Sequence, residues 1–254
     1  GSGSDASALR TCAVRRGDEW VLNGSKVFIT NGHYADVCVV MASTDPAKSH
    51  RGISTFLVEK GTPGFRPGKK ENKLGIRASD TAELLFEDCR IPRSNLVGQE
   101  NEGFKDTLRI LDGGRIAIAA VSLGIARGAF EVSLRYAGER KQFGKSLAEF
   151  QAIQWKLADM KTEMEAARWL TYAAAATADL GTLDTKLCSM AKLYASEMAV
   201  RAAGEGVQIH GGYGFTKDYP AEKYYRDVKL CTIGEGTSEI QRLVIARHLL
   251  GKPR

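Results

Sequence analysis

Glu235 is the residue whose setting most suggests chemistry. It stands in Thr232-Ile233-Gly234-Glu235-Gly236-Thr237-Ser238, a carboxylate between two glycines just ahead of a helical run. Glycine on either side lets backbone approach a ligand closely, and a helix start offers free N–H groups. On the residues alone two readings stay open: a proton-abstracting base, or an exposed Glu that complements the helix macrodipole. A second segment, Gln208-Ile209-His210-Gly211-Gly212-Tyr213-Gly214, is a glycine-rich helix exit. Its bare backbone could lie against a phosphate or a ring, or it could simply cap and bend the helix. A third, Glu139-Arg140-Lys141-Gln142-Phe143-Gly144-Lys145, sets cations and an aromatic in one connection. That composition suits an anionic cofactor through charge-assisted bonds, and equally a solvated turn.

Other apparent motifs carry less. Gly1-x-Gly3-x-x-Ala6 imitates a dinucleotide fingerprint, but no strand precedes it and no helical period follows. Gly138 to Ser146 resembles a phosphate-binding loop with one residue too many between its glycines, and it joins two helices. Four histidines without an i, i+4 pair give no metal site. Five separated cysteines, Cys12, Cys38, Cys89, Cys188 and Cys231, show no CxxC spacing, so a reducing compartment is expected rather than a disulfide framework.

These residues need elements to hold them, and the chain changes character near Val97. Before it come short β-type runs: Glu19 to Leu22, Lys26 to Thr30, Ala35 to Ala42, Ile53 to Glu59 and Ala82 to Asp88. Asn23-Gly24 between the first two reads as a hairpin turn. After it the apolar period is helical. Phe104, Leu108, Leu111, Ile116, Ala119, Leu123, Ala126 and Phe130 mark one long helix. A second opens at the Ser146…Glu149 capping box and buries Leu147, Phe150, Ile153, Leu157, Met160 and Met164. A third covers roughly Thr185 to Val207 and a fourth Ser238 to Leu250. The expected fold is α+β: an antiparallel β-sandwich or barrel-like domain over 1–96, then an up-and-down four-helix bundle over 97–254.

Composition agrees with a folded chain of two domains. Among 254 residues 43% are hydrophobic and 26% charged, which disfavours disordered and fibrous classes. The net charge of +6 comes from scattered residues, so no nucleic-acid surface is indicated while anionic small ligands stay open. No apolar run approaches the roughly 20 residues of a membrane span, and no signal peptide opens the chain; an intracellular protein is expected.

Taken in order, the motifs resemble those of the acyl-CoA dehydrogenases, flavoenzymes that desaturate acyl-CoA thioesters between the α and β carbons. Gly1-Ser2-Gly3-Ser4-Asp5 is similar to the end of the family's first signature, without the Thr-Glu-Pro that normally precedes it. Lys26-Val27-Phe28-Ile29-Thr30-Asn31-Gly32 resembles its flavin-contacting strand, and Phe86 to Pro92 its exit from the β-domain. Gly234-Glu235-Gly236-Thr237-Ser238-Glu239-Ile240-Gln241 resembles its second signature. Family members also carry a helical domain ahead of the β-domain, so the chain is expected to be a fragment.

The resemblance implies FAD as cofactor and Glu235 as catalytic base. Some members place the base on the long first bundle helix, where this chain has Gly114. Phe28, Ile29 and Thr30 would touch the isoalloxazine, with Thr30 near the atom that receives hydride. Arg140, Phe143, Gln151 and Gln208, Ile209, His210, Gly211 and Gly212 would hold the adenosine diphosphate half across a subunit boundary. Thr237, Ser238 and Glu239 would complete the cofactor site; Ser4, Asp112, Arg115 and Gly236 would contact or shape the acyl-CoA pocket. It further implies anti elimination to a trans-2-enoyl-CoA, electron-transferring flavoprotein as acceptor, and a homotetramer built as a dimer of dimers. The compartment would be bacterial cytoplasm or the mitochondrial matrix. Gly234, where several members have Tyr, implies a wider pocket for short, medium or branched chains. The competing expectations are an acyl-CoA oxidase and a non-catalytic oligomerisation subunit of the same fold.

Overall fold

The computed structural model of the chain describes residues 2–251. Gly1 of the expected substrate loop, and residues 252–254 at the end of the expected helical domain, lie outside them. The chain forms two compact units. One holds residues up to Lys73 together with Arg77–Ile110; the other holds Leu74–Ile76 and the chain from Leu111 on.

The first unit is a seven-stranded sheet. Its strands are β1 (Cys12–Arg16), β2 (Glu19–Thr30), β3 (Val37–Ser43), β4 (Ile53–Glu59), β5 (Phe65–Lys70), β6 (Thr81–Pro92) and β7 (Leu96–Val97), in the spatial order β5-β6-β2-β1-β3-β4-β7. All pairs are antiparallel except β1 with β3, which meet in parallel at Cys12 and Ser43. Alternate side chains of β3 and β6 turn inward, as a half-buried pleat requires. Trp20 on β2 meets Phe56 on β4 edge to face at 5.2 Å, although two strands lie between them in the sheet. The sheet therefore curls around one apolar core, with Leu22, Val40, Val58, Leu84, Phe86 and Ile91 in the same cluster.

Asn23-Gly24 is not a hairpin turn. Glu19–Thr30 is one continuous strand, and its register against β6 slips between Leu22 and Gly24. Asn23 instead supports a bulge: its side-chain oxygen accepts from the Asp88 N–H at 2.9 Å and its amide donates to the Asp88 carboxylate. A Cβ on Gly24 would lie 2.8 Å from Thr11 Cα, so close backbone approach explains the glycine. The actual β1–β2 turn is Gly17-Asp18, between the paired Arg16 and Glu19. Strand β5, Phe65-Arg66-Pro67-Gly68-Lys69-Lys70, escapes sequence reading because Pro, Gly and three cations give it no alternation.

The second unit is helical. The long helix α1 (Gly103–Glu139) leads into a small hairpin, β8 (Lys141–Gln142) and β9 (Lys145–Ser146). Then come α2 (Gln151–Asp179), α3 (Thr185–His210), α4 (Ala221–Val228) and α5 (Ser238–Leu250). The boundary between the units falls inside α1, after Ile110. Alanines make the packing: Ala119, Ala126 and Ala129 of α1 share a buried cluster with Ala167 and Met164 of α2 and Ala191, Ala195 and Ala199 of α3. Small side chains let helix backbones approach closely. Against the expectation of no such run, helix α1 is long and apolar enough to cross a membrane by length and composition alone. Arg115 and Arg127 interrupt the run in sequence, which is why a search for an unbroken apolar stretch passes over it. The capping box forms, with Glu149 accepting from the Ser146 N–H at 2.8 Å. It caps a short 3₁₀ turn, Leu147–Glu149, and α2 itself begins at Gln151. Helix α4 is an addition to the four helices expected.

Candidate functional site

In the helical unit a 3₁₀ turn ends at Thr232 and α5 begins at Ser238, capped by Thr237. Between them Glu235 and Gly236 both take positive φ, 55° and 89°. A left-handed non-glycine residue is costly and marks a backbone held for a reason. The turn throws the Glu235 side chain outward, exposed to solvent, with its carboxylate lying over the bare backbone of Gly114 on α1. A Cβ there would stand 2.6 Å from Glu235 Oε2. Gly236 is also required, because a Cβ on it would meet Gln241 Nε2 at 2.7 Å. Gly234 is not: a side chain there would find only ordinary contacts with Leu230, the nearest at 3.6 Å.

Two expected residues of the acyl-CoA pocket, Asp112 and Arg115, are buried and bonded to one another at 2.5 Å, one turn apart on α1. Thr185 donates to the second Asp112 oxygen at 2.6 Å, and Arg115 reaches Ser189 at 3.3 Å. This network ties α1 to the first turns of α3. The Arg115 Nε is buried without a partner among the described residues.

A cleft of about 550 Å³ gathers Arg140, Gln208, Ile209, His210, Gly211 and Gly212, six residues the sequence assigned to one cofactor half. Tyr136, Tyr213 and Thr216 line it as well. Its wall is aromatic: Tyr136 stacks on His210 at 4.3 Å, Tyr219 meets Tyr136 edge-on, and the Arg140 guanidinium lies 5.8 Å from the Tyr213 ring centre. Burial pushes the Tyr136 phenol above its ordinary pKa, so it stays neutral. His210 bonds the Gly206 carbonyl through Nδ1 at 2.7 Å, leaving Nε2 buried without a partner among the described residues. Gly211 ends α3 with φ 58°, and a Cβ on Gly211 or Gly212 would meet open space, so the cleft floor is bare backbone. Gly214 is required for packing, since a Cβ would come 2.3 Å from the Val207 carbonyl.

Phe143 and Gln151 do not line that cleft. Phe143 and Gly144 form the two-residue tip of the β8–β9 hairpin, both with positive φ, and Phe143 is 93% exposed. Gln151 is the exposed first residue of α2. Thr237, Ser238 and Glu239 line a separate cleft of about 310 Å³ with Arg201 and Lys229. There the Ser238 hydroxyl is buried and has no partner among the described residues. Hydrogen bonds from the helix start and from Thr237 hold the Glu239 carboxyl below its usual range. Apart from Phe143 and Gln151, which line neither, the expected cofactor residues of this unit fall in two clefts that share no lining residue.

In the β unit, the second register slip of β2 against β6, between Lys26 and Ile29, leaves Phe28 at φ 59° and 72% exposed. Thr30 is exposed and Ile29 half-buried. Asp80 fixes the end of the strand by accepting from the His33 N–H at 2.9 Å, while its backbone carbonyl accepts from Asn31. Ser4 is exposed, just ahead of a 3₁₀ turn capped by Asp5.

Sequence reasoning missed Tyr136, Tyr213 and Tyr219 as an aromatic wall, and Lys192 and Gln241 beneath the Glu235 turn. A lone lysine on the Ala- and Ser-rich face of α3 was the available signal for Lys192. The tyrosines are scattered along the chain and gave none.

Two family models match nearly the whole chain: the acyl-CoA dehydrogenase middle domain over residues 1–89 and the acyl-CoA dehydrogenase C-terminal domain over residues 101–250. The chain belongs to the acyl-CoA dehydrogenase family. It is 53% identical over 250 residues to the mitochondrial short-chain specific acyl-CoA dehydrogenase of Mus musculus, covering 98% of this chain and 61% of that one. It is 52% identical to an acyl-CoA dehydrogenase of Bacillus subtilis, covering 98% of this chain and 66% of the relative. Among solved structures, butyryl-CoA dehydrogenase from Megasphaera elsdenii superimposes with a TM-score of 0.97 at 48% identity, over 98% of this chain and 65% of that one. The chain thus spans somewhat less than two thirds of the length of these relatives.

Proposed function

We propose that the protein carrying this chain is an FAD-dependent acyl-CoA dehydrogenase that converts short-chain acyl-CoA thioesters to trans-2-enoyl-CoA, with Glu235 as base. The observation that carries this reading is the Glu235 carboxylate, exposed on a left-handed turn and seated over the bare backbone of Gly114. An α-proton beside a thioester is weakly acidic, so a carboxylate removes it only where the developing enolate charge meets aligned donors. Glu235 can offer both, its carboxylate to the proton and its own backbone N–H to the thioester oxygen. Gly234, where several family members carry Tyr, places no side chain next to Glu235, which would widen the acyl pocket beside the base. The names of the relatives favour the short end of the range.

The residues fit FAD. Bare backbone at Gly211 and Gly212 suits a phosphate or ring, Arg140 supplies charge, and the orphaned His210 Nε2 is a buried acceptor for a donor group. When bound, FAD would supply the hydride acceptor for the β-hydrogen. Arg140 and Gln208–Gly212 would hold the adenosine diphosphate half, while Phe28, Ile29 and Thr30 would lie against the ring. Thr237–Glu239 would complete the cofactor site; that they line a different cleft of the chain from Arg140 supports a cofactor shared between subunits of a homotetramer. Phe143 and Gln151 would reach the partner's side of that boundary. Ser4 and Gly236 would contact the thioester, with Asp112 and Arg115 shaping the pocket from behind. Electrons would leave to an electron-transferring flavoprotein, in bacterial cytoplasm or the mitochondrial matrix.

The test is a visible spectrum of the full-length protein, titrated anaerobically with acyl-CoAs from C4 to C12 and branched analogues. A yellow protein bleached by short thioesters is the expected result. A colourless protein that cannot be reconstituted with FAD would overturn it in favour of a non-catalytic subunit, and rapid peroxide release in air would identify an oxidase.

A further inference from the structure

Helix α3 buries a face of small residues, and among them Lys192 is wholly inaccessible to solvent. An ammonium group in such a place costs several kcal/mol unless it is bonded. Its Nζ donates to the Gly236 carbonyl at 2.7 Å. From α5, the equally buried Gln241 donates through Nε2 to the same carbonyl at 2.9 Å and to that of Glu235 at 3.1 Å. Its Oε1 has no partner among the described residues. Two successive carbonyls of one turn are therefore pinned by buried donors from two helices. A planar peptide whose carbonyl is pinned cannot swing, so ψ of Glu235 and φ of Gly236 are fixed together. A left-handed Glu lies against its own backbone preference, and the Gln241 bond to its carbonyl, with both donors on the next one, holds the turn in that shape.

We propose that Lys192 and Gln241 are positioning residues for the base, clamping the Glu235-Gly236 turn from beneath so that the carboxylate stays seated over Gly114. The inference rests on the reading of Glu235 as the base. Neither residue touches the reacting atoms; both act through the backbone of the turn. The Lys192 environment is consistent with a strained but retained charge. Burial lowers its pKa to about 8, the Cys231 and Glu235 groups draw it back, and Arg115 lowers it further. A lysine kept there against desolvation is doing something a Met of the same size would not.

The experiment compares Lys192→Met, Lys192→Gln and Gln241→Leu in the full-length protein, with flavin content, melting temperature and anaerobic bleaching by butyryl-CoA measured on each. Lys192→Met and Gln241→Leu should keep their flavin and their KM for the thioester, while the limiting bleaching rate per bound flavin falls about 10- to 100-fold, the scale of a base displaced by up to an ångström. Lys192→Gln, which keeps a donor, should recover part of that loss. A wild-type limiting rate in Lys192→Met and Gln241→Leu would overturn the proposal, as would losses of rate that only match losses of flavin or folded protein in all three. Normal bleaching by Glu235→Gln would instead refute the underlying assignment of the base, whatever the Lys192 variants do.

Discussion

Gly114→Ala separates stability from catalysis at one position. The three atoms nearest a Cβ at Gly114 all belong to the Glu235 carboxyl group, the closest being Oε2 at 2.6 Å. Ordinary contact needs about 3.4 Å, so the carboxylate must retreat by about 0.8 Å, which a flexible side chain can do cheaply. Alanine is meanwhile the better helix former by about 0.5–1 kcal/mol. The variant should therefore melt a few degrees higher and react more slowly, by up to about 100-fold or roughly 2.7 kcal/mol of barrier. Gly113→Ala is the control: its Cβ would meet nothing within 4 Å, so it should gain the same stability and keep the rate. Thermal melts and stopped-flow bleaching under nitrogen with butyryl-CoA read both quantities. If Gly114→Ala reacts as fast as Gly113→Ala, the carboxylate over Gly114 is not the base.

Other expectations follow from the same unit. Asp227 on α4 accepts from the Ile76 N–H and from Lys223, both at 2.6 Å. Burial alone would raise its pKa, but these bonds hold it below the usual carboxylate range. Its stabilisation is therefore present above pH ~4 and lost as pH falls through the lowered value; Asp227→Ala should lose about 1–3 kcal/mol at pH 7, and the difference from wild type in urea melts should shrink in acid. The lowered Lys192 pKa, about 8, acts in the same sense at higher pH: between it and the ordinary lysine value of ~10.4 the unfolded chain binds the extra proton, so stability rises with pH. Melts of wild type and Lys192→Met across that range should diverge by that slope, and parallel curves would contradict a buried Lys192 with a lowered pKa. Gly214→Ala forces a Cβ against the Val207 carbonyl; about 1–3 kcal/mol of stability should be lost, together with FAD content measured after gel filtration.

Much of this was legible in the sequence where a local rule and the tertiary structure agree. Ile53–Glu59 and Ser238–Leu250 appear with the bounds their patterns give, because each is a run of one period closed by turn residues or a glycine. Asn23-Gly24 misled because a dipeptide suited to a tight turn is equally suited to a bulge. The choice is made by Asp88 and Thr11, which lie far along the chain. Helix α4 and strand β5 were missed for related reasons. The first is short and rich in charge, with its buried side supplied by Ala221 and Val228; the second is an edge strand held by its neighbour rather than by its own residues. At the site, glycine spacing marked Glu235 and the Gln208–Gly212 exit. The seat over Gly114, the clamp from Lys192 and Gln241 and the separation of the two clefts depend on which helices meet, and no short window of sequence contains that.

The most direct test of the account is Glu235→Gln in the full-length protein, examined by visible spectroscopy under nitrogen. The substitution keeps the size and left-handed setting of the side chain and removes only its capacity to take a proton. The variant should retain FAD and bind butyryl-CoA, with a perturbed flavin spectrum but no bleaching over many wild-type half-lives. Bleaching at the wild-type rate would contradict the assignment of Glu235 as the base.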